Sequence, residues 1–183
     1  MIVAKRKREL VNDEMRERLA VNREGKLTTG QWLEITTEPL VTLLVLLAPA
    51  LLILGPRLGV LLRYGWWLIL LLAVAALILP LVARARRYAR LPVHFGHFYA
   101  DVHDRPWWKF WQPSVFYDAD DQPMDFKRWL APRPPLKING EYMVYYLNDR
   151  DRRVILSVAP ADHEEAERWQ PTYQFKLRQA RRA

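Results

Sequence analysis

Two long apolar runs near the middle of the chain constrain its fold more than any other feature. The first covers Pro39–Pro56 and the second Trp66–Ala83, and neither contains an ionisable residue. A helix that crosses the hydrocarbon core of a bilayer needs about 20 apolar residues. We therefore expect a membrane helical hairpin with spans over residues 35–55 and 64–84. Two buried helices of a soluble protein are the alternative, but a much larger soluble domain would be needed to cover them.

Basic residues predict the orientation of this hairpin. The chain carries a net charge of +8, and the excess of Lys and Arg flanks the apolar runs. Lysines and arginines are dense before the first run and again just after the second, whereas the connecting loop has only Arg57 and Arg63. Because Lys and Arg favour the cytoplasmic side, we expect a multi-pass protein of the inner (plasma) membrane with both termini in the cytoplasm.

Aromatic and basic residues at the ends of the runs are typical of a membrane–water interface. We predict such an interface, with the lipid bilayer as partner, from Trp32, Tyr64, Trp66, Trp67, Arg84, Arg86, Arg87 and Tyr88. The aromatic segment that contains Trp107, Trp108 and Trp111 is predicted either to enter the headgroup region or to pack on the protein.

The predicted spans lack the residues that transport and cofactor binding require. Their apolar runs, Pro39–Pro56 and Trp66–Ala83, contain no Asp, Glu, Lys, Arg or His, so they offer no proton relay, ion path or haem ligand of the usual kind. The chain also has no cysteine, which fits a reducing compartment and excludes disulfides and thiolate chemistry. We therefore expect no cofactor.

The N-terminal arm, residues 1–34, is predicted to contain a charged helix over residues 4–23. Leu10, Met15 and Leu19 form a thin apolar stripe on this helix. The helix is interpreted either as solvated or as bound to a lipid surface or a partner subunit through these three residues. Gly25 is expected to end it, and a new helix is expected to begin at about Thr29.

After Pro92 the pattern changes to short alternating strands. We predict strands at Val93–Val102, Ser114–Tyr117, Met124–Trp129, Glu141–Leu147 and Val154–Val158. Turn-rich segments predict hairpins between the second and third strands and between the last two. Residues 91–159 are thus expected to form a small all-β domain, an SH3-like or OB-like barrel. A short acidic helix over residues 161–169 and a basic tail complete the expected C-terminal part, residues 160–183.

This layout resembles a group of uncharacterised bacterial two-span membrane proteins. The similar segments are YMVYYLNDRDRRVILSVAP (142–160), with its tyrosine-rich strand, basic turn and "ILS" strand, and NREGKLTTGQ (22–31) before the first apolar run. The resemblance implies a membrane-tethered β-domain and no known catalytic residues. This chain departs from the group by inserting DRPWWKFWQP (104–113).

A group of histidines and aspartates supplies the sharpest chemical hypothesis. His97, Asp101 and His103 would share one face of a strand, whereas His94 would point to the other. Such residues predict a metal site, and the alternative is that they belong to a polar linker. No Gly-rich phosphate loop, nucleophile elbow or HExxH motif accompanies them.

Together these features predict a non-catalytic accessory or scaffold subunit of a larger membrane assembly, which contacts other membrane-protein subunits through its β-domain. The first alternative is a stand-alone membrane-surface module that recruits a soluble partner or anionic lipid. The second is a metal-dependent enzyme that uses the His94–His103 group. Nucleic acid is not an expected partner, because the basic residues cluster at the predicted flanks and the tail instead of forming a stripe with the aromatics.

Overall fold

A computed structural model describes residues 11–37, 65, 71, 74–76, 78–100, 114–130, 140–150 and 152–181. The chain divides into two compact units. One consists of Met1–Thr28 together with Leu91–Ala183, and the other of Thr29–Arg90. The N-terminal arm, predicted as a region of its own, thus belongs up to Thr28 to the same unit as the β-domain.

The first unit is built around a closed barrel of five strands. These are β1 (Val93–Ala100), β2 (Ser114–Tyr117), β3 (Pro123–Trp129), β4 (Gly140–Asp149) and β5 (Arg152–Pro160), arranged in the order β1-β2-β3-β5-β4. All neighbours are antiparallel except β3 and β5, which run parallel. This order is that of an OB-like Greek-key barrel, one of the two barrels that the sequence predicts.

The prediction of a small β-barrel is therefore confirmed, and so are its two hairpins. The β2–β3 hairpin closes through hydrogen bonds between Asp118 and Gln122 (3.1 Å) and between Asp121 and Asp118 (2.9 Å). Asp121 and Arg150, one in each hairpin turn, have positive φ angles of 53° and 54°.

Aromatic rings fill the interior of the barrel. Phe98, Phe116 and Phe126 are at most 2% exposed and contact one another with centroids 5.4–6.4 Å apart. Tyr146 joins them, 5.5 Å from Phe126 and 5.9 Å from Phe98. These edge-on contacts join β1, β2, β3 and β4 in a single core. They determine which alternate residues of each strand point inward.

Two bulges change that alternation locally. One lies in β3 between Phe126 and Arg128, and the other falls where β5 pairs with Tyr145 and Tyr146. A bulge adds one residue to one strand of a pair. Residues on either side of the bulge can therefore share a face of the sheet although their spacing in sequence is odd. As a result Val158 and Ile155 share the inner face with their partners Val144 and Tyr146, although they are three residues apart.

Helix α1 (Asp13–Asn22) packs on β5 and on the 3₁₀ turn Ala166–Trp169. The Asn12 side chain caps the helix by accepting a hydrogen bond from the Met15 backbone N–H (2.8 Å). Met15 and Leu19 are at most 2% exposed. These two residues of the apolar stripe are therefore part of the core of this unit. Leu10 lies outside the described residues.

The C-terminal part also covers the barrel. The acidic helix predicted over 161–169 is instead a set of turns that ends in the 3₁₀ turn, because β5 extends to Pro160. The predicted basic tail contains a helix, α2 (Tyr173–Ala180), which Thr172 caps by accepting from the Phe175 N–H (3.3 Å). Phe175 is the buried residue of this helix.

The second unit is helical where it is described, over residues 29–37 and 78–90 and at residues 65, 71 and 74–76. Most of the two predicted spans lies outside these residues. Among the helices of the described part, not one is both long and apolar enough to cross a membrane.

This finding corrects three predictions. The membrane helical hairpin is wrong as one half of the fold class, and the assignment to a membrane-protein class is wrong with it. The localisation as a multi-pass protein of the inner membrane, with both termini in the cytoplasm, is not supported either. The physical reason is that a run of apolar residues is long enough to permit a membrane span but does not by itself establish one.

Candidate interaction surface

The outer surface of the barrel has a covered half and an open half. On β4 and β5 most residues are buried, including the outward-facing Tyr145 and Ser157. On β1, β2 and β3 the described outward residues are exposed or half-buried, except Val93 at the start of β1. The difference arises because α1 packs on β5, while the 3₁₀ turn and α2 contact Tyr145 of β4.

Polar bonds hold the cover on the β4–β5 side. The Asn22 amide donates to the Ser157 hydroxyl (2.8 Å), and the Tyr145 hydroxyl donates to the Trp169 carbonyl (2.6 Å). Arg18 donates to the Leu130 carbonyl and to the Glu14 carboxylate. Burial raises the pKa of Tyr145 well above its usual range, so its hydroxyl stays a donor.

The two covering helices are also bonded to each other. The Thr172 N–H donates to the Arg23 carbonyl (3.1 Å), and the Arg178 guanidinium donates to the Glu24 carbonyl (2.7 Å). Both acceptors belong to the turn that follows α1. The cover is therefore a single layer, and among the described residues it leaves the opposite half of the barrel accessible.

We call the accessible half the open face. It consists of the outward-pointing side chains of Phe95, His97, Tyr99, Val115, Tyr117, Asp125 and Glu141. Their direction follows from the pairing: Phe98 points into the core, so its neighbours Tyr99 and His97 point out, as do their partners on adjacent strands.

Two tyrosines lie side by side on the open face. Tyr99 pairs directly with Tyr117 on β2 and with Glu141 on β4, and the residue is 43% exposed. Directly paired residues on one face of a sheet have Cβ atoms about 5 Å apart. The open face thus presents two adjacent phenol rings next to a carboxylate.

The histidine of the open face is held by that same carboxylate. Nδ1 of His97 lies 2.8 Å from Oε1 of Glu141, and both side chains are about two-fifths exposed. The His97 ring also meets the edge of Phe95 at 5.3 Å, and Phe95 lies 4.9 Å from Tyr145 beneath the cover. Packed aromatic rings therefore link the open face to the covered side along the outer surface of the barrel.

Acidic residues lie on β3 and in the turn that follows Tyr117. Asp125 points outward from β3 beside Val115, and the β2–β3 turn adds Asp118, Asp120 and Asp121. Asp120, Asp121 and Asp125 are exposed. Two cations, Lys127 and Arg128, lie at the far end of β3 where the bulge occurs.

One end of the barrel interior holds a second polar group. His94 stacks on Tyr146 with centroids 5.3 Å apart. Burial lowers the pKa of His94 and raises the pKa of Tyr146, whose hydroxyl is influenced in opposite senses by Arg153 and Asp118. Both rings are thus favoured in their neutral forms at neutral pH, as expected for residues that close the end of an aromatic core.

The residues predicted to bind a metal do not come together where they are described. His97 belongs to the open face and bonds to Glu141, while His94 stacks on Tyr146 on the opposite side of the strand. Asp101 and His103 lie outside the described residues. Within the described part of the chain, no three His, Cys, Asp or Glu side chains are grouped as a metal site requires.

The residues predicted at a membrane interface fall in several places. Tyr64, Trp66, Trp67, Trp107, Trp108 and Trp111 lie outside the described residues. Of the others, Trp32 is half-buried, and Tyr88 is 6% exposed with the Arg84 guanidinium 5.5 Å from its ring centroid. Arg86 and Arg87 are exposed.

Sequence reasoning missed the open face itself. Tyr99 and Tyr117 were placed in strands, but nothing in the local pattern shows that β1 pairs with β2 at this register or that β4 supplies Glu141. The available signal was the outward alternation of Phe95, His97 and Tyr99, which are less apolar as a set than the inward residues of the covered strands.

Comparison with protein-family models, with curated proteins and with solved structures gave no match to this chain. The resemblance to two-span membrane proteins consequently stays a prediction.

Proposed function

We propose that this chain is a non-catalytic accessory or scaffold protein that contacts a protein partner through the open face of its barrel. The observation that carries the proposal is the asymmetry of the barrel surface. One half is covered by the chain's own helices, while the other presents Tyr99 and Tyr117 side by side.

The chemistry of the open face suits protein recognition. Tyrosine supplies a large contact area with few rotatable bonds, and it is enriched among the residues that dominate binding energy at interfaces. The backing contacts of Phe95 with Tyr145 and His97 hold the surface in one conformation. A partner that binds a preformed surface avoids much of the entropic cost of ordering it.

The topology also limits the mode of contact. Closure of the barrel leaves little free strand edge for a partner strand to extend. We therefore expect recognition to go mainly through side chains. No grouping of the described His, Asp and Glu residues favours the metal-dependent enzyme.

Site-specific photo-crosslinking tests the proposal. A benzophenone amino acid replaces Tyr99 or Tyr117 in the full chain, and the matched control replaces Tyr173, which is 76% exposed on α2. We expect the two open-face positions to give the same protein adduct and the control position to give none. The adduct is identified, and the purified partner must bind the wild-type chain more tightly than Tyr99→Ala.

Either of two results would overturn the proposal. One is the absence of any adduct from positions 99 and 117 in cells that produce the chain at its natural level. The other is an identical set of adducts from position 173, which would show that crosslinking follows exposure and not the open face.

A further inference from the structure

The charge of the open face is opposite to that of the whole chain. The chain carries +8, yet the open face and the adjoining turn contain more carboxylates than cations. The carboxylates are Asp118, Asp120, Asp121, Asp125 and Glu141, and the cations on the same strands are Lys127 and Arg128. The basic residues that give the chain its charge lie elsewhere in the sequence.

The rings of the open face favour the same class of ligand as the carboxylates. The face of a tyrosine ring attracts a cation within about 6 Å of its centroid, and arginine stacks on it particularly well. Tyr99 lies between the second ring, Tyr117, and the carboxylate of Glu141. A guanidinium placed on Tyr99 would therefore reach an acceptor oxygen at the same time.

We propose, on the basis of the function proposed above, that the partner presents a basic segment rich in arginine to the open face. Its cationic side chains stack on Tyr99 and Tyr117 and pair with Glu141 and Asp125. Because the contact is partly electrostatic, association is fast and weakens as salt increases.

Other occupants fit this surface less well. A nucleic acid would bring its phosphates against the carboxylates around Tyr99 and Tyr117, whereas nucleic-acid binding depends on neutralising phosphates with Lys and Arg. Self-association of this chain is one of the outcomes that the experiments below distinguish.

Fluorescence anisotropy with defined peptides tests the inference on the full-length protein. The probes are a labelled peptide of alternating arginine and glycine, the same peptide with lysine, and one with glutamate. We expect the arginine peptide to bind best, the glutamate peptide not to bind, and affinity to fall between low and physiological ionic strength.

Variants of the open face separate ring and charge contributions. Tyr99→Ala should weaken binding about tenfold, while Tyr99→Phe should retain it because the ring face remains. Glu141→Gln should weaken binding several-fold and reduce its salt dependence. Tyr173→Ala and Glu17→Gln, which change exposed residues of the two covering helices, should leave it unchanged.

Three outcomes would overturn the inference. The first is equal binding, or none, for the arginine and glutamate peptides. The second is retention of full affinity by Tyr99→Ala together with Glu141→Gln. The third is preferential binding of a single-stranded oligonucleotide, or self-association, that is lost in the same two variants. If crosslinking at position 99 succeeds while the peptides fail, the partner class is wrong but the proposed function stands.

Discussion

At the scale of single residues, the cover of the barrel depends on a glycine. Gly25 has a φ of +74°, in the region that glycine enters without steric cost, and it lies in the turn that follows α1. A Cβ at this position would lie 2.8 Å from Cδ2 of Phe175, the buried residue of α2. One residue thus provides both the turn and the space for the packed ring.

Gly25→Ala should therefore destabilise the protein by about 1–3 kcal/mol, because it adds a strained backbone angle to a close contact. The measurement is urea unfolding followed by circular dichroism. Gly30→Ala is the matched control, since a Cβ there meets nothing within 4 Å and the residue is helical. It should be neutral or slightly stabilising. Equal stability of the two variants would show that neither the angle nor the ring contact matters.

The buried hydroxyl of Tyr145 gives a prediction with a pH dependence. Tyr145→Phe leaves the Trp169 carbonyl without its donor, which should cost about 1–2 kcal/mol at neutral pH. Burial holds the pKa of Tyr145 above that of an unfolded tyrosine, about 10. The unfolded chain then loses its proton first, so stability falls as pH rises above about 10.

In Tyr145→Phe this alkaline decline should be shallower than in the wild type by about 1.4 kcal/mol per pH unit, because one tyrosine no longer contributes. Unfolding midpoints measured between neutral and alkaline pH check the slope. Tyr173→Phe controls for removing a hydroxyl from the surface and should leave the neutral-pH stability unchanged. A variant with the same slope as the wild type would mean that Tyr145 ionises as readily in the folded state.

At the scale of helices and strands, α1 is a structural part of the barrel unit. Its inner side places Met15, Leu19 and the Asn22 amide against β5, and the Asn22 amide meets Ser157. A helix of this length is marginal alone in water, so its stability must come mainly from this packing.

Leu19→Ala should consequently destabilise the protein by about 2–5 kcal/mol, the usual cost of emptying a fully buried leucine site. Leu33→Ala is the matched control, because Leu33 is 64% exposed on another helix. It should change stability by less than about 0.5 kcal/mol. Thermal unfolding of both variants is the measurement. If Leu19→Ala were as mild as the control, α1 would not be packed on the barrel and its apolar stripe would again be available to a partner.

Local sequence patterns predict the strands and turns that depend on residues close together in the sequence. Alternation located all five strands, and turn residues located the β2–β3 and β4–β5 hairpins. The parallel pairing of β3 with β5 has no local signal, because it joins segments that never adjoin in sequence. Helix α2 is not predicted from the sequence, because its basic residues are also typical of a solvated tail. Pro171 and Thr172 nevertheless mark a helix start.

The surface was harder to predict than the core. Phe98, Phe116 and Phe126 are apolar residues in alternating strands, so their burial follows from the pattern. The open face depends on which half of the barrel remains uncovered, and that is decided by contacts such as Asn22 with Ser157, far apart in sequence. The prediction of a membrane hairpin is wrong for the opposite reason. It extends one strong local signal, the apolar runs, to whole membrane-spanning helices.

At the scale of the whole molecule, the barrel unit is formed from both ends of the chain. Helix α1 precedes residues 29–90, whereas the strands and α2 follow them, and the two parts meet through β5 and the Arg23–Thr172 and Glu24–Arg178 contacts. On the covered side of the barrel, few contacts lie within the N-terminal part alone or within the C-terminal part alone. The stability of the unit should thus be cooperative across the sequence gap.

Hydrogen exchange of the full-length protein tests this cooperativity. Peptides from α1, from β4–β5 and from α2 should show slow exchange governed by one common opening free energy. Ser157→Ala, which removes the acceptor of the buried Asn22 amide, should speed exchange in all three segments by a similar factor, about tenfold for a loss of about 1.4 kcal/mol. Ser157 is on β5, so a purely local effect would be confined to the β4–β5 peptides. Exchange of α1 that is fast in the wild type, or unchanged in Ser157→Ala, would show instead that the N-terminal helix opens independently and that the β4–β5 side of the barrel is only transiently covered.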